Sequence, residues 1–97
     1  MSLQNSVGYT VVTTTGAVLA TPSTGNYVIH GYSIKGSGAV AALDVNDAGS
    51  FVFAISASAA AGGLTNMFPV GVKLTGAVTL TGTSTNLSDV TFFYNKE

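Results

Sequence analysis

Residues 21–38 read TPSTGNYVIHGYSIKGSG and contain a turn, a strand and a second turn. Pro22 fixes one φ angle, and Gly25 and Asn26 tolerate positive φ, so this first part favours a turn. Tyr27 to Lys35 is rich in β-branched and aromatic residues, which favours a strand, and the GSG that follows ends it. Because similar units recur along the chain, the sequence predicts an all-β fold.

Short runs of Val, Ile, Thr, Tyr and Phe lie between clusters of Gly, Ser and Asn, and helical periodicity is almost absent. This pattern predicts many short antiparallel strands. Eight are expected, at roughly 8–14, 16–20, 27–35, 39–45, 51–57, 68–74, 77–82 and 90–94. We interpret residues 57–66 as a loop, since Gly62 and Gly63 would stop a helical turn of alanines.

Turn signals at this spacing predict an antiparallel β-sandwich, with jelly-roll-like topology as the first choice and a Greek-key sandwich or barrel as the second. The length of 97 residues corresponds to a single domain, 1–97. Residues 46–49 predict a type I turn closed by a glycine bulge. Strict alternation assigns side chains to faces. Phe51, Phe53 and Ile55 would share one face, and Phe68, Val70, Val72 and Leu74 would point inward.

The charged fraction is unusually low. Only 7% of the residues are charged, against about 25% in a typical globular domain, while 46% are hydrophobic. A soluble monomer usually keeps more charge, whereas a subunit that buries surface in an assembly needs less. The chain has no Cys, so no disulfide can stabilise a domain this small, and oligomerisation is the usual alternative.

The strand at 27–35 would have apolar residues on both faces under strict alternation. A strand with one solvated face should instead have one polar face. Phe93 repeats the anomaly in the last strand, on the side opposite Phe92. Subunit contacts would explain both the second apolar face and the missing charge. The residues of this predicted oligomer interface are Val28, His30, Tyr32, Ile34 and Phe93.

His30 is the single histidine, and no nucleophile elbow accompanies it, so we expect no catalytic residue and no enzyme. We interpret His30 as structural, buried or half-buried at a subunit contact and hydrogen-bonded to the backbone. In a three-fold assembly, one histidine per chain could alternatively form an axial metal or anion site.

The segment DVNDAG, 44–49, is similar to the start of a calcium loop, but Ala48 and Ile55 stand where ligands are required. We therefore expect Asp44 and Asp47 to form no metal site, and we expect no cofactor. Asp89 is expected at the turn that leads into the last strand. The glycosylation sequon at 86–88 is interpreted as chance, since no secretion signal is expected at the start of the sequence.

Nucleic acid and membranes are not expected partners. The three basic residues are scattered lysines and the net charge is −1, whereas phosphate or lipid binding needs a basic cluster. No apolar stretch approaches the roughly 20 residues of a membrane helix.

Three segments resemble the small β-sandwich structural proteins of tailed bacteriophages, including fibre, baseplate and capsid-decoration modules. TPSTGNYVIHGYSI, 21–34, is similar to their turn-then-strand opening. MFPVGVKLTGAVTLTGT, 67–83, is similar to their Phe-Pro strand and Thr-rich hairpin, and DVTFFYNKE, 89–97, to their closing aromatic strand.

The resemblance implies a non-enzymatic structural protein of a phage-like virion. It implies a symmetric homo-oligomer, commonly a homotrimer, with other virion proteins as further partners. The expected location is the virion, or the host cytoplasm during assembly. The alternative function is a small ligand-binding, carbohydrate-binding-like module with tyrosines as platforms. That alternative predicts a concave pocket lined by polar and aromatic groups. The tyrosines are Tyr9, Tyr27, Tyr32 and Tyr94.

Overall fold

A computed structural model describes residues 8–55 and 62–97. The predicted all-β fold is confirmed, with eight strands in two antiparallel four-stranded sheets that pack as a sandwich. The strands are β1 (Gly8–Val12), β2 (Gly16–Leu19), β3 (Tyr27–Gly36), β4 (Leu43–Asp47), β5 (Ser50–Ile55), β6 (Gly62–Leu74), β7 (Val78–Thr81) and β8 (Leu87–Lys96). Among the described residues, no helix is long and apolar enough to span a bilayer.

The strand order is β1-β8-β3-β6 in one sheet, here called sheet A, and β2-β7-β4-β5 in the other, sheet B. The pairings are nested, because β1 pairs with β8, β2 with β7, β3 with β6 and β4 with β5. Two further pairings, β3 with β8 and β4 with β7, join these pairs into sheets. The first and last of the described strands, β1 and β8, therefore lie side by side.

The core lies between the sheets and receives side chains from both. Its fully buried members come mainly from the central strands β3, β8, β4 and β7. Burying one such aliphatic or aromatic side chain contributes roughly 1.5–3 kcal/mol. The buried residues are Tyr27, Ile29, Tyr32, Ile34, Val40, Leu43, Val45, Ile55, Leu74, Val78, Leu80, Val90 and Phe92.

Strand β3 contains a β-bulge at His30. Ile29 pairs with Tyr94 of β8 and Gly31 pairs with Phe93, so β3 has one residue more than β8 between these pairs. An extra residue of this kind reverses the inside–outside alternation of the strand beyond it.

This reversal corrects part of the predicted interface. Ile29 faces the core before the bulge, and Tyr32 and Ile34 face it after the bulge. Tyr32 is 2% exposed and Ile34 is 0% exposed, so neither can contact a second subunit. The apparent second apolar face of this strand arises from the shift of register.

Two other bulges move predicted core residues outward. In β5, Val45 of β4 pairs with Phe53 while Asn46 pairs with Phe51, so Val52 is the extra residue and Phe51 is 62% exposed. In β6, four residues, 68–71, stand opposite His30 alone, and Val70 is 78% exposed. The expectations that Phe51 shares a face with the core residue Ile55 and that Val70 points inward are therefore wrong.

Several element bounds also differ from the expected ones. β6 begins at Gly62 rather than 68, so residues 62–66 form a strand and not a loop. Residues 56–61, which include the rest of that predicted loop, lie outside the described residues. β4 begins at Leu43 rather than 39. β8 begins at Leu87, so Asp89 lies within the strand and not in the turn before it.

The β4–β5 turn has a different type from the one expected. Asp47 pairs with Ser50, which leaves two central residues, and both have positive φ, 50° at Ala48 and 88° at Gly49. Positive φ at both positions is the signature of a type I′ turn, whose twist matches that of the flanking strands. The prediction of a type I turn closed by a glycine bulge is therefore wrong.

Candidate functional site

A row of cross-strand neighbours crosses the outer face of sheet A. Tyr9 of β1 pairs with Phe93 of β8, Phe93 pairs with Gly31 of β3, and Gly31 pairs with Met67 of β6. Paired residues on antiparallel strands share a face, and Phe93 points away from the buried Phe92. Tyr9 is 68% exposed and Met67 is 52% exposed. We call these four residues the central row.

Gly31 allows Met67 to lie close across the middle of this row. A Cβ atom at Gly31 would stand 2.6 Å from Sδ of Met67 and 2.5 Å from the carbonyl oxygen of Asn66. Real Cβ atoms do not approach so closely, so the thioether occupies the space that a side chain would need. The result is an apolar strip formed by tyrosine, phenylalanine and methionine.

A second row lies beside the central row and is mostly hydroxylic. Val11, Thr91, Ser33 and Thr65 are paired across the four strands. Thr65 donates a hydrogen bond from Oγ1 to Oγ of Ser33 at 3.0 Å. Val11 is 49% exposed and widens the apolar strip on the β1 side.

His30 lies at the opposite side of the central row. Its ring is half-buried, and its Nε2 is hydrogen-bonded to Oδ1 of Asn95 on β8. The Asn95 amide nitrogen donates to the Lys96 carbonyl at 3.3 Å, which leaves Oδ1 as the acceptor for an N–H of His30. The prediction that His30 is hydrogen-bonded to the backbone is therefore wrong, because its partner is the side-chain amide of Asn95.

The charged residues on this face stand at its two ends. Lys35 and Asp89 occupy paired positions at one end. At the other end, Nζ of Lys73 lies 2.9 Å from Oε1 of Glu97. The pKa of the Glu97 carboxyl is held below its usual range, mainly by the hydrogen bond from Lys73 and then by one from Asn26. Each end thus carries one positive and one negative group.

The outer face includes three of the five predicted interface residues. Val28, His30 and Phe93 lie on it and are half-buried in the single chain. Sequence reasoning missed Tyr9 and Val11, although their alternation along the first strand is a signal that could have found them. Met67 had no such signal, because residues 57–66 beside it were expected to form a loop.

Other candidate residues have roles in the fold itself. Both carboxylate oxygens of Asp47 accept backbone hydrogen bonds, from Thr75 at 3.0 Å and from Gly76 at 2.7 Å. Asp44 is exposed on the outer face of sheet B. Within residues 8–55 and 62–97, no group of three or more His, Cys, Asp or Glu side chains could hold a metal ion.

The tyrosines do not form a common platform. Tyr27 and Tyr32 are buried in the core, and the Tyr27 hydroxyl donates to the Ala20 carbonyl at 2.6 Å. Tyr94 packs against Tyr27 with an interplanar angle of 83°. Tyr9 lies in the central row. The described part of the chain forms no pocket.

No protein-family model, curated protein or solved structure matches this chain. The functional interpretation therefore depends on the geometry of the outer face of sheet A. A flat apolar strip between balanced charges can bury surface against another protein, and its side chains offer a partner chiefly dispersion and hydrophobic contact.

Proposed function

We propose that this chain is a non-enzymatic structural protein of a phage-like virion that assembles as a symmetric homo-oligomer, and specifically as a homotrimer. The observation that carries the proposal is the exposed apolar central row in a chain with only 7% charged residues. Exposed apolar patches on small soluble domains commonly mark interaction sites. The sequence resemblance supports the virion role and a stoichiometry of three subunits per oligomer.

The strand order supports a virion-type scaffold. A jelly roll has eight strands in two sheets and arises when one long hairpin is folded over itself. The nested pairings, with the β4–β5 turn at the tip of that hairpin, are those expected of such a ribbon. We therefore propose a jelly-roll-like topology for the sandwich.

A carbohydrate-binding module is not favoured by any specific observation. Two of the four tyrosines are core residues, and the described residues form no pocket. The proposed partners are copies of this chain and other virion proteins, and the proposed location is the virion or the host cytoplasm during assembly.

The proposal is tested by the native mass of the purified chain at low micromolar concentration, measured by light scattering or sedimentation equilibrium. Three chains of 9.7 kDa give an expected mass of about 29 kDa. A stable, folded monomer at that concentration would contradict the oligomer. The virion role is tested separately by mass spectrometry of purified particles, in which the chain should occur at a fixed stoichiometry.

A further inference from the structure

We infer that the subunits of the oligomer contact one another through the outer face of sheet A, with the central row at the centre of the contact. This inference rests on the proposed homo-oligomer and names the surface that forms it. The occupant of the face is therefore a further copy of the same chain. Tyr9, Phe93 and Met67 are the main contact residues.

The side chains of the central row suit a protein contact. Tyr9 and Phe93 supply rigid aromatic surface, which is enriched at interfaces. Met67 is flexible and polarisable, so it can adapt its shape to a neighbouring copy. Gly31 has no side chain and is buried, and the Met67 thioether lies over it, so the middle of the row presents the methionine to a neighbour.

The outer face of sheet B is the natural competitor, and it is less suitable. Exposed Asp44 lies on that face, near one end of the central strand β4, paired with Thr81 on one side and Ala54 on the other. Burying this carboxylate in a contact would carry a desolvation cost. Phe51, 62% exposed, supplies a large apolar group there, but its cross-strand neighbour is the polar Asn46.

The charge distribution of sheet A favours contact between copies. The central row and the row beside it consist of uncharged residues, so their burial removes no charge from water. Lys35 with Asp89, and Lys73 with Glu97, place both signs at each end of the face. Copies brought together therefore meet no field of a single sign, in any orientation about the axis.

The size of the face is compatible with a specific interface. Four strands spaced by about 4.8 Å give a width of about 19 Å, and the ten residues of β3 or β8 give a length of about 33 Å. The product is about 600 Å² per subunit, at the lower end of the roughly 600–1,000 Å² that each partner buries in a standard two-body interface, and in a trimer it is shared between two neighbours.

The width also suits three copies. Three faces about 19 Å wide, arranged as the sides of a triangular prism, would each stand about 5–6 Å from the three-fold axis. Two packed sheets are about 10 Å apart, so each side-chain layer normally fills about 5 Å. Side chains of the central rows would therefore fill the axis of a trimer without leaving a channel.

The test places a charge in the central row. Tyr9→Lys and Met67→Lys change exposed positions, so the single chain should still fold, which circular dichroism checks. In the oligomer each variant buries one ammonium per subunit within the contact between copies, and assembly should weaken by at least about tenfold. Phe51→Lys is the matched control, because it changes a similarly exposed aromatic residue of sheet B and should leave the native mass unchanged.

A second measurement needs no substitution. Met67 is 52% exposed in the single chain, so hydrogen peroxide should oxidise it readily when the protein is dilute and dissociated. At assembled concentrations its oxidation should be several-fold slower, as read by peptide mass spectrometry. Equal rates in both states would overturn the inference.

The outcomes separate this inference from the function on which it rests. An oligomer that dissociates with Phe51→Lys but not with Tyr9→Lys or Met67→Lys would overturn the inference and leave the homo-oligomer intact. A wild-type chain that is monomeric would overturn both. A dimer that dissociates with Tyr9→Lys and Met67→Lys would support the outer face of sheet A as the contact surface and would overturn the proposed trimer.

Discussion

Gly31 pairs with Met67 of β6 on the outer face of sheet A, and the backbone of β6 lies close beside it. A Cβ atom at this position would meet the Asn66 carbonyl oxygen at 2.5 Å and Cα of Met67 at 2.8 Å. Both are backbone atoms, which cannot move away as a flexible side chain can. The need for glycine here comes from space, since φ of Gly31 is not in the left-handed region.

We predict that Gly31→Ala destabilises the fold by about 1–3 kcal/mol, because the strands must separate to admit the methyl group. Chemical denaturation at a fixed protein concentration measures the change, since assembly makes the apparent stability depend on concentration. Gly63→Ala is the control within β6, because its Cβ would meet Ile34 at an ordinary 3.6 Å. Equal effects of the two substitutions would contradict the steric explanation.

At the scale of elements, Asp47 joins the end of β4 to the turn between β6 and β7. Its carboxylate accepts hydrogen bonds from the amides of Thr75 and Gly76, and the Ala48 amide donates to the Ala77 carbonyl at 2.8 Å. The sequence suggested the start of a calcium loop at this position. In the fold, the same carboxylate instead binds the backbone of a neighbouring turn.

We predict that Asp47→Ala lowers the free energy of unfolding by about 2 kcal/mol, because two backbone amides lose a charged acceptor. Asp44→Ala, at an exposed position of the same strand, should change it by less than about 0.5 kcal/mol. Denaturant titrations of both variants measure the difference. A calcium-dependent rise in melting temperature that disappears in Asp47→Ala would instead assign a metal site.

Bulges in β3, β5 and β6 decide which side chains each element presents. The bulge at His30 moves Tyr32 and Ile34 into the core, and the β6 bulge leaves Val70 exposed. Pro69 lies in that β6 bulge, on a strand at the edge of sheet A. Proline has no amide hydrogen for a ladder, so an edge position accommodates it.

For the whole molecule, the small number of charges limits how stability depends on pH. Glu97 accepts hydrogen bonds from Lys73 and Asn26, and these lower its pKa in the folded chain. A carboxyl with a lowered folded pKa stabilises the fold above its unfolded pKa, about 4.3 for Glu. This contribution disappears as the pH falls through the folded value.

We therefore predict that Glu97→Gln lowers the melting temperature slightly near pH 7 and has no effect near pH 2. The effect should be small and should shrink in high salt, because Lys73 and Glu97 are both about half exposed. Thermal unfolding at the two pH values, in low and high salt, measures it. An equal difference at both pH values would show that the Glu97 carboxylate does not act through its charge.

The low charge of the molecule fits an assembled state. With 7% charged residues, the exposed surface of one chain consists largely of Ser, Thr, Gly, Ala and several large apolar side chains. An oligomer that covers the outer face of sheet A would remove Tyr9, Val11 and Met67 from water. The proposed contact face therefore explains why these positions are apolar, since a monomeric domain would be expected to have polar residues there.

Local sequence signals are sufficient to predict the all-β class and the positions of most strands. Alternating β-branched and aromatic residues between glycine-rich turns are local signals, and a strand such as 27–35 can be recognised without knowing its partners. The sequence also placed His30, Val28 and Phe93 at a predicted oligomer interface, since they interrupt the expected alternation of polar and apolar residues.

Which face of its sheet a side chain occupies, and which strands pair, depend on contacts between distant parts of the chain. A bulge exists only relative to a paired strand, so alternation within β3 could not show that Tyr32 and Ile34 turn inward after His30. Residues 62–66 have weak strand propensity. They form a strand because their backbone pairs with that of β3. The central row likewise joins residues from four strands that are distant in the chain, and only pairing brings them onto one surface.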